Sequence, residues 1–186
     1  MYGPVDPAYL DRENHRSCRR YDMITRPLRE EHKELLPHIE QLKGLADGIG
    51  SAGTETIRRG LAEAERFLGG HLIPHARTED GVLYPEVQRV MGSAKATGTM
   101  SRDHEEVGKL TGELSALKAR VAGGSPSVQQ EVELRRILYG LYELVKLHFA
   151  KEEEIYLPLL DAALSEQEGQ ALFAAMEETA ARLKET

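Results

Sequence analysis

The sequence has a single cysteine, no tryptophan, and only 5% aromatic residues among its 186. One thiol, Cys18, excludes an internal disulfide and a cysteine-based zinc site, and it suits a reducing cytoplasm. No apolar run approaches the length of a membrane span, and the N-terminal stretch lacks the apolar core of a signal peptide. Positive charge is also scarce: 24 Lys and Arg stand against 31 Asp and Glu, for a formal charge of −7. A phosphate backbone needs a basic face, so nucleic acid is not an expected partner, and neither is a membrane. What is abundant is Leu, Ala, Glu, Lys and Arg, a composition for helices rather than sheets. The length suits one domain with one sizeable core.

Residues 1 to 22 show no clear period and read as an N-terminal arm. A first helix is expected from "TRPLRE", with Pro27 in its first turn, to Gly48. A second runs from Thr54 towards Gly92, kinked around "GGHLIPH" because Pro74 cannot donate to the helical ladder. A third starts at Thr99 or Ser101 and stops at "GGSP"; a fourth takes Ser125 as cap and Pro126 as first residue, reaching about Asp161. A last amphipathic helix, within 163–186, starts at "SEQE", where Ser165 and Glu168 form a capping box, and is expected to pack on the bundle. Short connections between long helices imply an antiparallel four-helix bundle, all-α, over residues 23 to 162.

The inward stripes carry the chemistry. The first reads Leu28, His32, Leu35, Ile39, Leu42, Ala46, and the third Met100, His104, Val107, Leu110, Leu114, Leu117. The second includes Leu68, His75, Glu79 and Val82; the fourth includes Leu141, Val145, His148, Glu152 and Ile155. Spacings of three and four put each stripe on one face, so His and Glu stand where the pattern calls for leucine. Buried imidazoles and carboxylates are costly unless paired or metal-bound. The chain also repeats itself: His32 precedes His75 by 43 residues, His104 precedes His148 by 44, and each second His has Glu four residues on. Residues four apart on a helix share a face and can reach one metal cluster.

Two His and one carboxylate per copy is a ligand set of non-haem ferrous sites. Two facing copies supply four His and two Glu, enough for two irons bridged by carboxylates. With one further bridging oxygen, about ten of twelve octahedral positions are filled. Other metal folds lack their signatures: there is no Glu-x-x-His of ferritin-like carboxylate sites and no His-Glu-x-x-His of zinc proteases. His71, one turn before His75, is a candidate additional ligand; Tyr156, four residues past Glu152, is a candidate hydrogen-bonding neighbour. Glu31, Asp103, Glu105, Glu106, Glu153 and Glu154 point off the stripe and read as solvated charges.

Over roughly residues 25 to 160 the pattern resembles the hemerythrin-like, HHE cation-binding family. The resemblance implies a non-haem di-iron centre, two iron ions with an oxo or hydroxo bridge, held by His32, His75, Glu79, His104, His148 and Glu152. It implies dioxygen, nitric oxide or peroxide as the small ligand. The departures from the oxygen carrier are two: its third helix has the form His-x-x-x-His and its fourth His-x-x-x-x-Asp, whereas Gly108 stands here and the final carboxylate is Glu152 at i+4. A binder or sensor of dioxygen or nitric oxide is the first expectation. An enzyme that decomposes peroxide or reduces nitric oxide is the alternative, and iron handling or repair of iron centres the next.

Overall fold

The computed structural model describes residues 24–184; the expected arm, with Cys18, lies outside them. Among the described residues there are helices and no strands. Helix α1 is Arg26–Gly48, opened by Pro27, whose missing N–H falls where a helix has no acceptor for it. Its buried residues are Leu28, His32, Leu35, Ile39, Leu42 and Ala46, the whole expected stripe.

Helix α2 is one continuous run with two irregular turns. It comprises α-helical Thr54–Phe67, a π turn Leu68–Leu72, α-helical Ile73–Thr78, a second π turn Glu79–Leu83, and α-helical Tyr84–Met91. Gly92, in the left-handed region at φ 64°, ends it. Helix α3 is Gly98–Arg120, starting one residue before the earlier of the two expected positions. Helix α4 is Val128–Lys151, continued by a π turn Glu152–Tyr156 and by Leu157–Ala163. Its cap is Ser127, not the expected Ser125. Ser127 Oγ accepts from the Gln130 amide at 3.3 Å, and Gln130 Oε1 accepts from the Ser127 amide at 2.8 Å. The reciprocal pair satisfies two orphan donors, which Ser125 followed by Pro126 does not offer. Helix α5 is Glu166–Lys184, opened by the expected box of Ser165 and Glu168.

Each π turn ends two residues before a proline: Pro74, Pro85 and Pro158. A proline ring inside a regular helix clashes with the carbonyl four residues back; one extra residue in the preceding turn accommodates it without breaking the helix. The kink expected at "GGHLIPH" is therefore a bulge, and the two further bulges stand in the same relation to their prolines, whereas Pro37 sits inside α1 without one.

Helices α1 to α4 form a ring in which α1 and α3 each pack against both α2 and α4. Two apolar clusters fill it. The larger runs from Leu35, Ile39 and Leu42 through Leu61, Leu114 and Leu138 to Phe149. The smaller holds Leu28, Leu83, Tyr84, Met100, Leu157 and Leu160, and is closed by Leu172 and Met176 of α5. Each fully buried leucine contributes about 1.5–3 kcal/mol, so these layers offset the polar belt between them. Helix α5 lies along Ile73–Thr78 and Glu79–Leu83 of α2. Gly169 of α5 packs close to Ile24, just before α1, where a Cβ would meet Ile24 Cγ2 at 2.6 Å. Buried Asp161 near the end of α4 accepts from the Thr25 amide and hydroxyl, both at 2.9 Å, and pins the start of α1. No described helix is long and apolar enough to cross a membrane.

Candidate metal centre

Between the two apolar layers each ring helix presents polar side chains inward: His32 from α1, His75 and Glu79 from α2, His104 from α3, His148 and Glu152 from α4. All are buried except His104, which is nearly so. They converge by their Nε2 and carboxylate atoms. His75 Nε2 and His32 Nε2 lie 3.1 and 3.7 Å from Glu79 Oε1, and His104 Nε2 lies 3.3 Å from Glu79 Oε2. Glu152 spans the same gap: Oε2 is 3.4 Å from His32 Nε2, Oε1 is 3.5 Å from His148 Nε2. His104 Nε2 and His148 Nε2 are 2.9 Å apart. Two clusters with metal-binding spacing result, His32–His75–Glu79 and Glu79–His104–His148, joined at Glu79.

The donor set fits cations. His32 Nε2, His75 Nε2, both Glu79 oxygens and Glu152 Oε2 are buried without a hydrogen-bond partner. Buried polar atoms are rarely left so, and here five point into one space. Donors at about 2.0–2.2 Å from a metal are separated by roughly 3 Å at neighbouring vertices, which the nearest of these distances match.

The outer ring nitrogens explain the tautomers. Every Nδ1 faces a carboxylate from the next helix: His32 to Glu153 at 2.8 Å, His75 to Glu31 at 3.2 Å, His104 to Asp80 at 2.9 Å, His148 to Asp103 at 3.1 Å. An Nδ1–H donated outward leaves the Nε2 lone pair facing inward, as a ligating imidazole requires. Glu31, Asp103 and Glu153 are thus not the solvated charges expected of residues off the stripe, and Asp80 joins them. The reason is geometric. A neighbour in sequence is rotated by about 100°, which in a ring of helices aims it at the adjacent helix. The residue before the His serves on α1 and α3, the residue after the Glu on α2 and α4. Alternating helix direction reverses the sense, so all four point the same way around the ring. Beyond them, Arg29 pairs with Glu153, Lys151 with Asp103, and the Ser101 hydroxyl donates to Asp80 at 2.7 Å.

Without metal, burial pushes the His32 imidazole down, but Glu153, Glu79 and Glu152 outweigh it and raise its pKa to about 9. Burial likewise opposes, and carboxylates outweigh, in His75 and His104, both raised. Burial raises Glu79, yet His75, His104 and His32 hold it well below the usual carboxylate range.

Two expected neighbours are elsewhere. His71 falls in the first π turn, is exposed, and stacks on Phe67 at 6.4 Å, away from the cluster. The Tyr156 hydroxyl donates to the Ala96 carbonyl at 3.1 Å. The tyrosine that does reach the cluster is Tyr84, whose hydroxyl donates to Glu152 Oε1 at 2.8 Å and lies 3.1 Å from His148 Nε2. In a regular helix, position i+5 from Glu79 is about 140° off its face. The π turn Glu79–Leu83 absorbs one residue and swings Tyr84 inward; the matching turn at Glu152 carries Tyr156, at i+4, out. Burial, then Glu79 and Glu152, raise the Tyr84 phenol well above its ordinary pKa. A cavity of about 510 Å³, lined by residues of α1, α2 and α5, reaches Glu31 and the outer side of His75.

Among curated proteins, the iron-sulfur cluster repair protein YtfE of Cronobacter sakazakii is similar: 26% identical over 118 residues, 62% of this chain and 52% of its own. The chain thus spans about half the length of that relative. No solved structure matches the chain. The hemerythrin HHE cation-binding domain matches residues 23–160, through all four helices that carry the clustered His and Glu. A helical bundle with this donor cluster and this match is a hemerythrin-like metal-binding protein, and the chain belongs to the hemerythrin HHE cation-binding domain family.

Proposed function

We propose that this is a non-haem di-iron protein whose centre binds dioxygen or a related small ligand such as nitric oxide. His32 and His75 would hold one iron, His104 and His148 the other, and Glu79 and Glu152 would bridge them, one oxygen to each. The support is the convergence of five buried, unpartnered donor atoms, arranged so that each carboxylate faces both histidine pairs. When bound, the pair would supply one-electron chemistry and open coordination positions. The chain's own part is to fix the imidazoles through the four outer carboxylates, neutralise the cations with Glu79 and Glu152, and exclude bulk water with the leucine layers above and below. Protons on His32, His75 and His104 must leave as metal enters.

The test is anaerobic loading with ferrous iron, counting of iron per chain, and an absorption spectrum as air or nitric oxide is admitted. About two irons and a near-ultraviolet oxo-bridge band are expected, with optical change that reverses when the gas is removed. No stable iron, or one iron without that band, refutes the proposal. Sustained turnover of added peroxide instead of a single reaction per site makes the protein an enzyme. The relative's name favours one more use of the same centre, in iron handling or repair of iron centres. Iron passing from the loaded protein to an apo iron–sulfur protein faster than to a chelator supports that use.

A further inference from the structure

The two ends of the proposed centre are unequal, and the inequality lies in residues that the repeat does not share. Position 84, five residues after Glu79, is Tyr; its counterpart five residues after Glu152 is Leu157. Position 149, after His148, is Phe, stacked on His32 with ring centroids 4.2 Å apart; its counterpart after His75 is Ala76. One end therefore has a phenol beside it and the other a phenyl ring.

Tyr84 Oη lies 2.8 Å from Glu152 Oε1, 3.1 Å from His148 Nε2 and 3.4 Å from His104 Nε2. Those three atoms are themselves the donors that would surround one ion. A donor at roughly 3 Å from several other donors occupies a neighbouring vertex of the same coordination polyhedron. The Tyr84 ring stacks on His104 at 5.4 Å, and Tyr84 is almost wholly buried, so packing holds the oxygen there.

We infer that Tyr84 is a further metal ligand: its phenolate binds ferric iron at the His104–His148 end, leaving the His32–His75 end as the one open to exogenous ligands. This rests on the proposed two-iron centre for its placement of the ions. Ligation exchanges the phenol O–H bond for an oxygen–iron bond and releases one proton; no electron moves. Burial and two carboxylates disfavour the phenolate when no cation is present, and a bound cation inverts that balance. The donor count then differs by end: two imidazoles, two carboxylate oxygens and a phenolate at one, two imidazoles and two carboxylate oxygens at the other. The cavity of about 510 Å³ reaches the outer side of His75, behind the imidazole at the end with fewer donors.

The test is spectroscopic. Protein loaded anaerobically with ferrous iron and then exposed to air should show a visible phenolate-to-iron charge-transfer band. Excitation in that band should enhance tyrosine ring vibrations, which shift when the protein is grown on ring-deuterated tyrosine. Tyr84→Phe should lose the visible band and keep both its iron and its near-ultraviolet absorption. Wild-type protein holding two irons without the phenolate band overturns the inference and leaves Tyr84 as a hydrogen-bond donor to Glu152. A phenolate band with only one iron per chain sinks the two-iron centre but sustains Tyr84 as a ligand. If Tyr84→Phe binds no iron, the wild-type isotope shift decides alone. Protein that binds no iron at all overturns both.

Discussion

Replacing Asp103 with Asn tests whether the outer carboxylates act on the metal. The change preserves shape and hydrogen-bonding reach but removes the charge that His148 Nδ1 faces at 3.1 Å. Loss of a carboxylate behind a ligating imidazole lowers metal affinity by about 10–100-fold, or about 1.4–2.7 kcal/mol. Solvent screening grades the effect among the four. The carboxylate side chains are 18% exposed for Asp103, 32% for Glu153, 36% for Asp80 and 49% for Glu31. Asp103→Asn should therefore fall near the upper limit and Glu31→Gln near the lower. Glu105→Gln, on the exposed face of α3, should change nothing. The assay is anaerobic competition for ferrous iron against a chromophoric chelator, with urea unfolding of each metal-free variant to remove losses of fold. If all four variants bind within about twofold of wild type, the carboxylates are solvated charges after all, and the ring of outer hydrogen bonds has no functional weight.

Three more outcomes follow from named contacts. His75→Ala should halve the iron bound, by emptying one cluster, whereas Glu79→Ala should weaken both, since Glu79 is shared by the two clusters; equal losses by atomic absorption would contradict the bridging assignment. In metal-free protein the raised pKa of His32, about 9 against an ordinary 6.5, contributes stability that is full below pH 6.5 and is lost as pH rises through 9. Urea midpoints of chelator-stripped protein should thus fall between about pH 6 and about pH 9.5, and a flat profile refutes the pairing. Ser127→Ala should cost about 1 kcal/mol in urea unfolding, against a few tenths for Ser125→Ala, whose hydroxyl bonds Thr54 at 2.8 Å on the surface; the reverse order would restore the cap to Ser125.

Several features were open to reading in one dimension because their physical basis is local. The apolar stripe of α1 needs only the 3.6-residue period, and the Ser165–Glu168 box only its spacing of three. The six inward His and Glu stood out because polar residues occupied core positions twice over, in matching order. Ser127 is not distinguishable in the sequence because Ser125 followed by Pro126 also makes an acceptable helix start, and only the loop's path, with Ser125 bonded to Thr54, selects between them. A regular spacing of four puts His71 and Tyr156 on the ligand face, and a π turn breaks that spacing. The proline after Tyr84 in "VLYP" is visible in the sequence and accompanies the extra residue there, but Pro37 in regular α1 shows that a proline alone does not require one.

By itself the sequence determined the helices, their inward faces and the repeated pair of histidines with a glutamate, because these follow from period, capping and the cost of burying polar groups. The tertiary structure decided which neighbours those side chains have. Whether Glu31 or Asp103 meets water or an imidazole depends on the handed order of the helices around the ring, and whether Tyr84 or Tyr156 enters the centre depends on where one extra residue is absorbed. Both are properties of three-dimensional direction, which a periodic pattern along one helix does not carry.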